Sequence, residues 1–454
     1  MGEILSRSYM VFTNEMEFLR GFMKKKMSLL FLGFAVIGVA DVATSFDPNI
    51  RVNASGDAVM VWSGFNGDNF VIQEATLIPE GNWSAPTQIS ASGYDAFDAK
   101  AAMNDNGQIL FVWQRYNGSY FEIQASFDLF GEDPAAPVQL SRAANQNYFP
   151  SVCIDQNGNG GAIWQESSSS GYTVSVATYS HVVGWCRPEQ LTLPSRFLTT
   201  PDIAIHPSSG DIMAIWQGQE GSSIVIQAAL HHFGQDWTPL TTLSAAGNNA
   251  TNPCIMYSLS GEVLAVWQRS IGECIGLQIS SFIDGIWSQP ISMMAEEAHF
   301  LNPRISINAS GEAVLVAEYI AEDQDEASSS IVAWTRDSGG TWSDYVVISE
   351  ESGNNAVSPC ISMNSSRQAI AVWSDSVLET VWAATLSPSG DWSLPVTLSS
   401  AGSSSTVPCI GMNDAGYAIA TWQAFEGTNT LARASVLPSL EGTWGEPETV
   451  SASQ

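Results

Sequence analysis

The stretch NPCIMYSLSGEVLAVWQ, residues 252–268, followed by IGLQISS at 275–281 and DGIWSQPISM at 284–293, contains the grammar of the whole chain. A proline opens an apolar alternation, a glycine marks a tight turn, a second apolar run ends in Trp-Gln, and a third run leads to Gly-x-Trp-Ser-x-Pro. Counted from the proline, positions two and four are apolar in copy after copy: Ile50 and Val52, Val152 and Ile154, Ile203 and Ile205, Ile305 and Ile307, Ile361 and Met363. A period of two, rich in Ile and Val and bounded by Pro and Gly, is the pattern of a β-strand. Positions one and three are small or mixed, as at Ser151, Cys153, Ala204, Cys254, Ser306, Cys360, Cys409 and Gly411, which suits a sheet packed between two others.

The same unit recurs along the chain. Tryptophan stands at Trp62, Trp113, Trp164, Trp216, Trp267, Trp373 and Trp422, with Ala317 at the one skipped beat, so eight copies of roughly 50 residues fill the chain from residue 46. Pro48, Pro150, Pro201, Pro253, Pro303, Pro359 and Pro408 open the copies, with Ala99 in copy two. Six positions before the tryptophan column stands glycine (Gly56, Gly107, Gly158, Gly210, Gly261, Gly311, Gly416), except for Arg367 in copy seven. A tight turn between strands needs a residue with positive φ, and glycine takes it without steric cost.

Four short strands per copy and no helical pattern beyond the N-terminus predict an all-β chain, an eight-bladed β-propeller of four-stranded antiparallel blades. Residues 1–45 read as an N-terminal extension with a signal peptide. Residues 46–454 read as the propeller, with repeats at about 47–97, 98–148, 149–199, 200–251, 252–301, 302–357, 358–406 and 407–454. An open array of separate modules is the rival, but units of ~50 residues bury too little surface to stand alone. The tryptophans are expected to be packing: each removes about 150–250 Å² from water, or roughly 4–6 kcal/mol before entropy.

Residues 24–40, KKKMSLLFLGFAVIGVA, have a basic start, a short apolar core and a small-x-small end, the pattern of an export signal rather than of a membrane span. The expected location is outside the cytoplasm: secreted, periplasmic or at the cell surface. From residue 46 the chain has 42 Asp plus Glu against 11 Lys plus Arg. Such a surface repels phosphate backbones and anionic head groups, which excludes nucleic acid and leaves cations or basic protein surfaces as plausible partners; the expected partner is a protein or carbohydrate, with no membrane insertion.

Cys153, Cys254, Cys360 and Cys409 occupy the first predicted strand of four copies and read as small buried side chains, while Cys186 and Cys274 lie outside those strands with their pairing open. Sequons at Asn53, Asn82, Asn117, Asn249, Asn308 and Asn364 are ordinary turn chemistry, or glycan acceptors in a eukaryotic secretory pathway. The run DQNGNGGAIWQE, 155–166, fits an EF-hand pattern, but its last five residues before Glu166 form a strand that carries Glu166 away. That leaves Asp155, Asn157 and Asn159 as candidate ligands of a small Ca²⁺ loop, set against a plain Asn-Gly turn; no other cofactor is expected.

Copy six carries TRDSGGTW at 335–342, matching Ser/Thr-x-Asp-x-Gly-x-Thr-Trp, and other copies keep a Gly-x-Trp remnant, as in TLSPSGDW at 385–392. On these residues and the repeat length the chain resembles Asp-box (BNR-repeat) β-propellers, the superfamily that includes sialidases. The resemblance implies that the box is a fold element away from the catalytic face, with Asp337 tying its own turn. It also implies an arginine triad, a Tyr-Glu pair and an Asp acid in active members, most of which have six blades. Arg51 lies in Ile-Arg-Val without the family's proline, Arg115 and Arg269 share one repeat position, and Arg304 lies on another first strand. No catalytic residue is assigned.

In a propeller, the loops joining strands two and three and the loops between blades emerge on one face, where function is carried on such scaffolds. Copy six departs from the repeat there, with Glu318 in place of Gln and an acidic loop containing Glu322, Asp323, Asp325 and Glu326, preceded by Glu296, Glu297 and His299. A solvated insertion and a site for cations or basic partners are the two readings. Around copies two and three, Arg115, Tyr116, Tyr120, Tyr148, Phe149, Arg196 and Phe197 are the candidate binding residues, since aromatics beside arginine suit sugar rings or a protein hot spot. The leading expectation is an exported, non-catalytic propeller binding a protein or glycan. The alternatives are a sialidase-like glycoside hydrolase, which needs paired carboxylates about 5–9.5 Å apart, and a structural envelope or surface protein.

Overall fold

The computed structural model describes residues 46–196, 200–245, 247–321, 328–350, 355–400, 403–426 and 429–451. The export-signal reading lies outside these residues. All described secondary structure is β-strand, and it forms eight antiparallel sheets, each built from consecutive strands. Their first strands are Phe46–Val52, Ala96–Met103, Gln146–Ile154, Asp202–Ile205, Ala250–Tyr257, Ala298–Ile307, Ala356–Met363 and Thr406–Met412. Each packs beside the first strand of the next blade, and the last packs beside the first. This is an eight-bladed β-propeller whose innermost strands ring the axis.

The glycine of each first turn takes φ between 72° and 92°, and Arg367 takes the same conformation at 65°. An asparagine, aspartate, serine or histidine at the start of the turn supports it, as where Asn104 Oδ1 accepts from the Asn106 and Gln108 N–H groups at 3.1 and 3.0 Å. The side-chain amide of an asparagine reaches on to the following blade: Asn104 Nδ2 donates to the Asp155 carbonyl at 2.8 Å. Asn413 Nδ2 donates in the same way to the Ala54 carbonyl at 3.3 Å, which joins blade eight to blade one.

Trp62, Trp113, Trp164, Trp216, Trp267, Trp373 and Trp422 are fully buried. Each sits in a cluster drawn from its own blade and the preceding one; Trp62, for example, packs with Ile419, Ala432 and Ala434 of blade eight. The second tryptophan column (Trp83, Trp185, Trp237, Trp287, Trp342, Trp392, Trp444) stays half-buried at the outer strands. In blade six the missing indole is replaced from across the sheet. Phe300, fully buried, occupies the position of Ala96, Ala250 and Ala356 in other blades and packs with Ala317, Trp334, Tyr319 and Tyr345.

In blades four and five the glutamine that follows the tryptophan clamps the next blade. Gln217 Oε1 accepts the Asn252 N–H at 2.7 Å, and Gln268 Oε1 accepts the Asn302 N–H at 3.2 Å. The position just before the proline column has one conformation in blades two to eight: Asp98, Phe149, Thr200, Asn252, Asn302, Ser358 and Val407 all have φ between 42° and 56°. Residues before proline ordinarily stay extended. Here they take positive φ instead, and at Asn252, Asn302 and Ser358 the preceding blade supplies the acceptor that holds it.

Candidate functional site: an aromatic strip on the loop face

The hairpins joining strands two and three are fixed to the following blade by one recurring bond. N–H groups at the start of the third strands, at Phe70, Phe121 and Ile224, donate to Asp95 Oδ1, Gln146 Oε1 and Asn249 Oδ1 at 3.0, 2.9 and 3.0 Å. At Ile275 the acceptor is His299 Nδ1, at 3.1 Å. His299 therefore positions a hairpin rather than standing free in an acidic cluster.

On hairpins held in this way, blades one to three carry a strip of half-buried rings. Phe65 and Phe70 close the first hairpin with centroids 5.4 Å apart, and Phe70 meets Phe97 of blade two at 5.3 Å. One blade on, Tyr116 and Phe121 lie 5.4 Å apart, and Phe121 meets Tyr148 of blade three at 5.6 Å. Phe149 extends this second group at 6.2 Å and is 37% exposed. Each member of the first triplet precedes its counterpart by 51 residues, so the two triplets occupy identical positions in adjacent blades. Between them Tyr94, 42% exposed, carries the Arg115 guanidinium over its ring at 5.2 Å.

Fold geometry does not require these rings. The equivalent positions are Gln219, Ile224 and Thr251 after blade four, and Ser270, Ile275 and Leu301 after blade five. Burial pushes the Tyr148 phenol up from its ordinary range, with Tyr172 nearby adding to the shift. Its hydroxyl donates to Gln146 Oε1 at 3.3 Å.

Of the residues picked out in the sequence, Arg115, Tyr116 and Tyr148 come together in this strip. Arg115 also pairs with Glu122 at 3.3 Å, so its charge is largely matched from within blade two. Tyr120 is half-buried at the same hairpin, and Arg196 is exposed beside blade three. Phe197, Glu322, Asp323, Asp325 and Glu326 lie outside the described residues. Glu318 is placed differently from the expected cation site: it is buried, and its Oε1 accepts from Asn302 Nδ2 at 3.0 Å and Ser358 N–H at 2.7 Å, replacing the repeat's glutamine as the clamp on the next blade. Phe65, Phe70, Phe97 and Phe121 escape a residue-by-residue reading of the sequence. Their signal is the common 51-residue offset, visible only when aromatic positions are compared between copies.

Asp155, Asn157 and Asn159 share one turn. Asp155 Oδ1 accepts the N–H groups of Asn157 and Asn159 at 2.8 and 2.7 Å, and Oδ2 accepts from Asn159 Nδ2 at 3.2 Å. Asn53, Asn308 and Asn364 are buried in equivalent turns, which removes them as glycan acceptors. Asp337 accepts the Thr341 N–H at 2.8 Å and so ties its own turn, as expected.

No protein-family model and no curated protein matches the sequence. Among solved structures, the chain is similar to the polysaccharide lyase Uly1, at 8% identity and TM-score 0.49 over 88% of this chain and 98% of the other. It is similar to the GH93 α-L-arabinofuranosidase of Fusarium graminearum, at 12% identity and TM-score 0.42 over 64% and 93%. A third is the Hadza microbial sialidase Hz136, at 13% identity and TM-score 0.38 over 73% and 77%. At these values the likenesses carry no information on activity.

Proposed function

We propose that this chain is an exported, non-catalytic propeller that binds an uncharged glycan chain along the aromatic strip of blades one to three. One observation carries the reading: two aromatic triplets at identical repeat positions on the loop face of adjacent blades, with polar or aliphatic residues at the same positions after blades four and five. A ring that shows one face to solvent stacks on the apolar C–H face of a pyranose, and a one-blade spacing presents successive platforms to successive sugars. The net charge of −30 disfavours sulfated or uronic-acid-rich polymers and favours neutral ones. The Asp337 turn supports the resemblance to Asp-box propellers, and we place the chain beside them on that motif.

The test is a glycan array on the chain from residue 46 onward, followed by titration calorimetry with the best neutral oligosaccharide and with a sulfated counterpart. Phe121→Ala and Tyr148→Ala should each weaken binding about tenfold or more, the effect of losing a central aromatic anchor. Unchanged affinity in both variants, or tighter binding of the sulfated chain, contradicts the proposal. Hydrolysis of a fluorogenic sialoside by the same preparation favours the enzyme reading. Capture of a protein with no glycan bound favours the protein-partner reading.

A further inference from the structure

Position one after the proline column, read from sequence as small or mixed, forms a polar ring about the axis. Each blade gives it one residue, from Asn49 and Lys100 through Asp202 and Arg304 to Cys360 and Cys409. Successive members meet across the blade boundaries. Ser151 Oγ donates to Asp202 Oδ1 at 3.0 Å, and Asn49 Nδ2 reaches Cys409 Sγ at 3.8 Å. At the boundary of blades seven and eight the ring brings two thiols together, with Cys360 Sγ donating to Cys409 Sγ at 3.9 Å. Both cysteines are free and half-buried.

We propose that Cys360 and Cys409 form a reactive dithiol that undergoes thiol–disulfide exchange with small disulfides and closes to a disulfide joining blades seven and eight. The two sulfurs lie on neighbouring innermost strands, and each meets the other before any other cysteine. Side-chain rotation has to bring them from 3.9 Å to a bonding distance of about 2 Å. Cys409 is the attacking group. The hydrogen bond from Cys360, with the nearby positive charge of Arg51 and Lys100, holds its thiol below the usual range against the opposing effect of burial, while Cys360 is pushed up.

The exchange balances in two steps. The Cys409 thiolate attacks one sulfur of the small disulfide, forms a mixed disulfide and releases one thiolate. Cys360 then gives up its proton, its sulfur attacks Cys409 Sγ, and the second thiolate leaves. Two electrons pass from the protein thiols to the small disulfide, which departs as two thiols.

The experiment incubates the native chain with oxidised glutathione near pH 7, counts thiols over time and maps non-reduced peptides by mass spectrometry. The exposed Cys186 serves as an internal measure of reagent access. The expected result is loss of the Cys360 and Cys409 thiols, over and above any adduct on Cys186, with a Cys360–Cys409 linked peptide. Cys360→Ser should stop at a glutathione adduct on Cys409, and Cys409→Ser should slow modification of Cys360 about tenfold or more, since the more reactive thiolate is gone. Matching circular dichroism spectra establish that both variants are folded. The proposal is overturned if both thiols persist while Cys186 is modified, if another cysteine is the cross-linked partner, or if Cys409→Ser reacts at the wild-type rate.

Discussion

Arg367 stands where seven sibling turns carry glycine, and it accepts the same left-handed conformation at φ 65°. For a residue with a Cβ that conformation costs roughly 1–2 kcal/mol, and the 4.0 Å approach of Arg367 to Glu312 is too long to offset much of it. Arg367→Gly should therefore stabilise the protein by about 0.5–1 kcal/mol, once the greater unfolded-state freedom of glycine is counted. Denaturant unfolding with an unchanged m-value checks it. A second residue-scale effect lies between blades one and two, where Glu74 is buried. Burial, with the nearby Asp128 carboxyl adding, raises its pKa from 4.5 to about 8. Between those values the folded protein holds a proton that the unfolded chain releases, so stability falls as pH rises through the window and levels off above it. Glu74→Gln should flatten this slope and raise the melting temperature about half a pH unit above the window relative to wild type. A variant as pH-sensitive as wild type contradicts the assignment.

At the scale of the single blade, copy six shows how the repeat tolerates an exception. Elsewhere an alanine on the first strand packs in one cluster with the tryptophan of the second, as Ala96 does with Trp113 and Ala356 with Trp373. In blade six the pair has become Phe300 with Ala317, which keeps the filled volume while moving the ring across the sheet. Phe300→Ala alone should cost about 3–5 kcal/mol through the cavity left behind, and Ala317→Trp alone should cost at least ~1–3 kcal/mol through overpacking. Together they recreate the common pair, so the double variant should be well more stable than the summed losses imply, and strict additivity contradicts the swap. This scale also shows what the sequence makes legible. Strand order, first turns and the tryptophan core follow from the period-two pattern and the fixed column spacing. The bulge before most of the prolines does not, because residues such as Val407 and Phe149 carry no local preference for the positive φ they take there. Glu318 misleads for a related reason: a carboxylate reads as a surface charge, yet here it sits where a buried amide serves in other copies.

For the whole molecule, symmetry separates scaffold from site. Features present in all or nearly all blades, the tryptophan column and the first-turn stitches, hold the ring, whereas the aromatic strip spans one sector and breaks the repeat. The proposed glycan face lies on blades one to three and the dithiol between blades seven and eight, and the polar ring about the axis is complete only when blade eight meets blade one. Val52 in the first strand of blade one and Gly411 in the first strand of blade eight lie at this seam, and a Cβ built on Gly411 falls 3.5 Å from the Val52 Cβ. That separation suits a disulfide. The most direct measurement is oxidation of the Val52→Cys, Gly411→Cys double variant at low protein concentration, with the cross-link mapped by mass spectrometry. A closed propeller predicts a monomer in which the two introduced cysteines are bonded to each other before any denaturant is added; a native monomer in which both introduced thiols stay free, or are joined only between molecules, contradicts it.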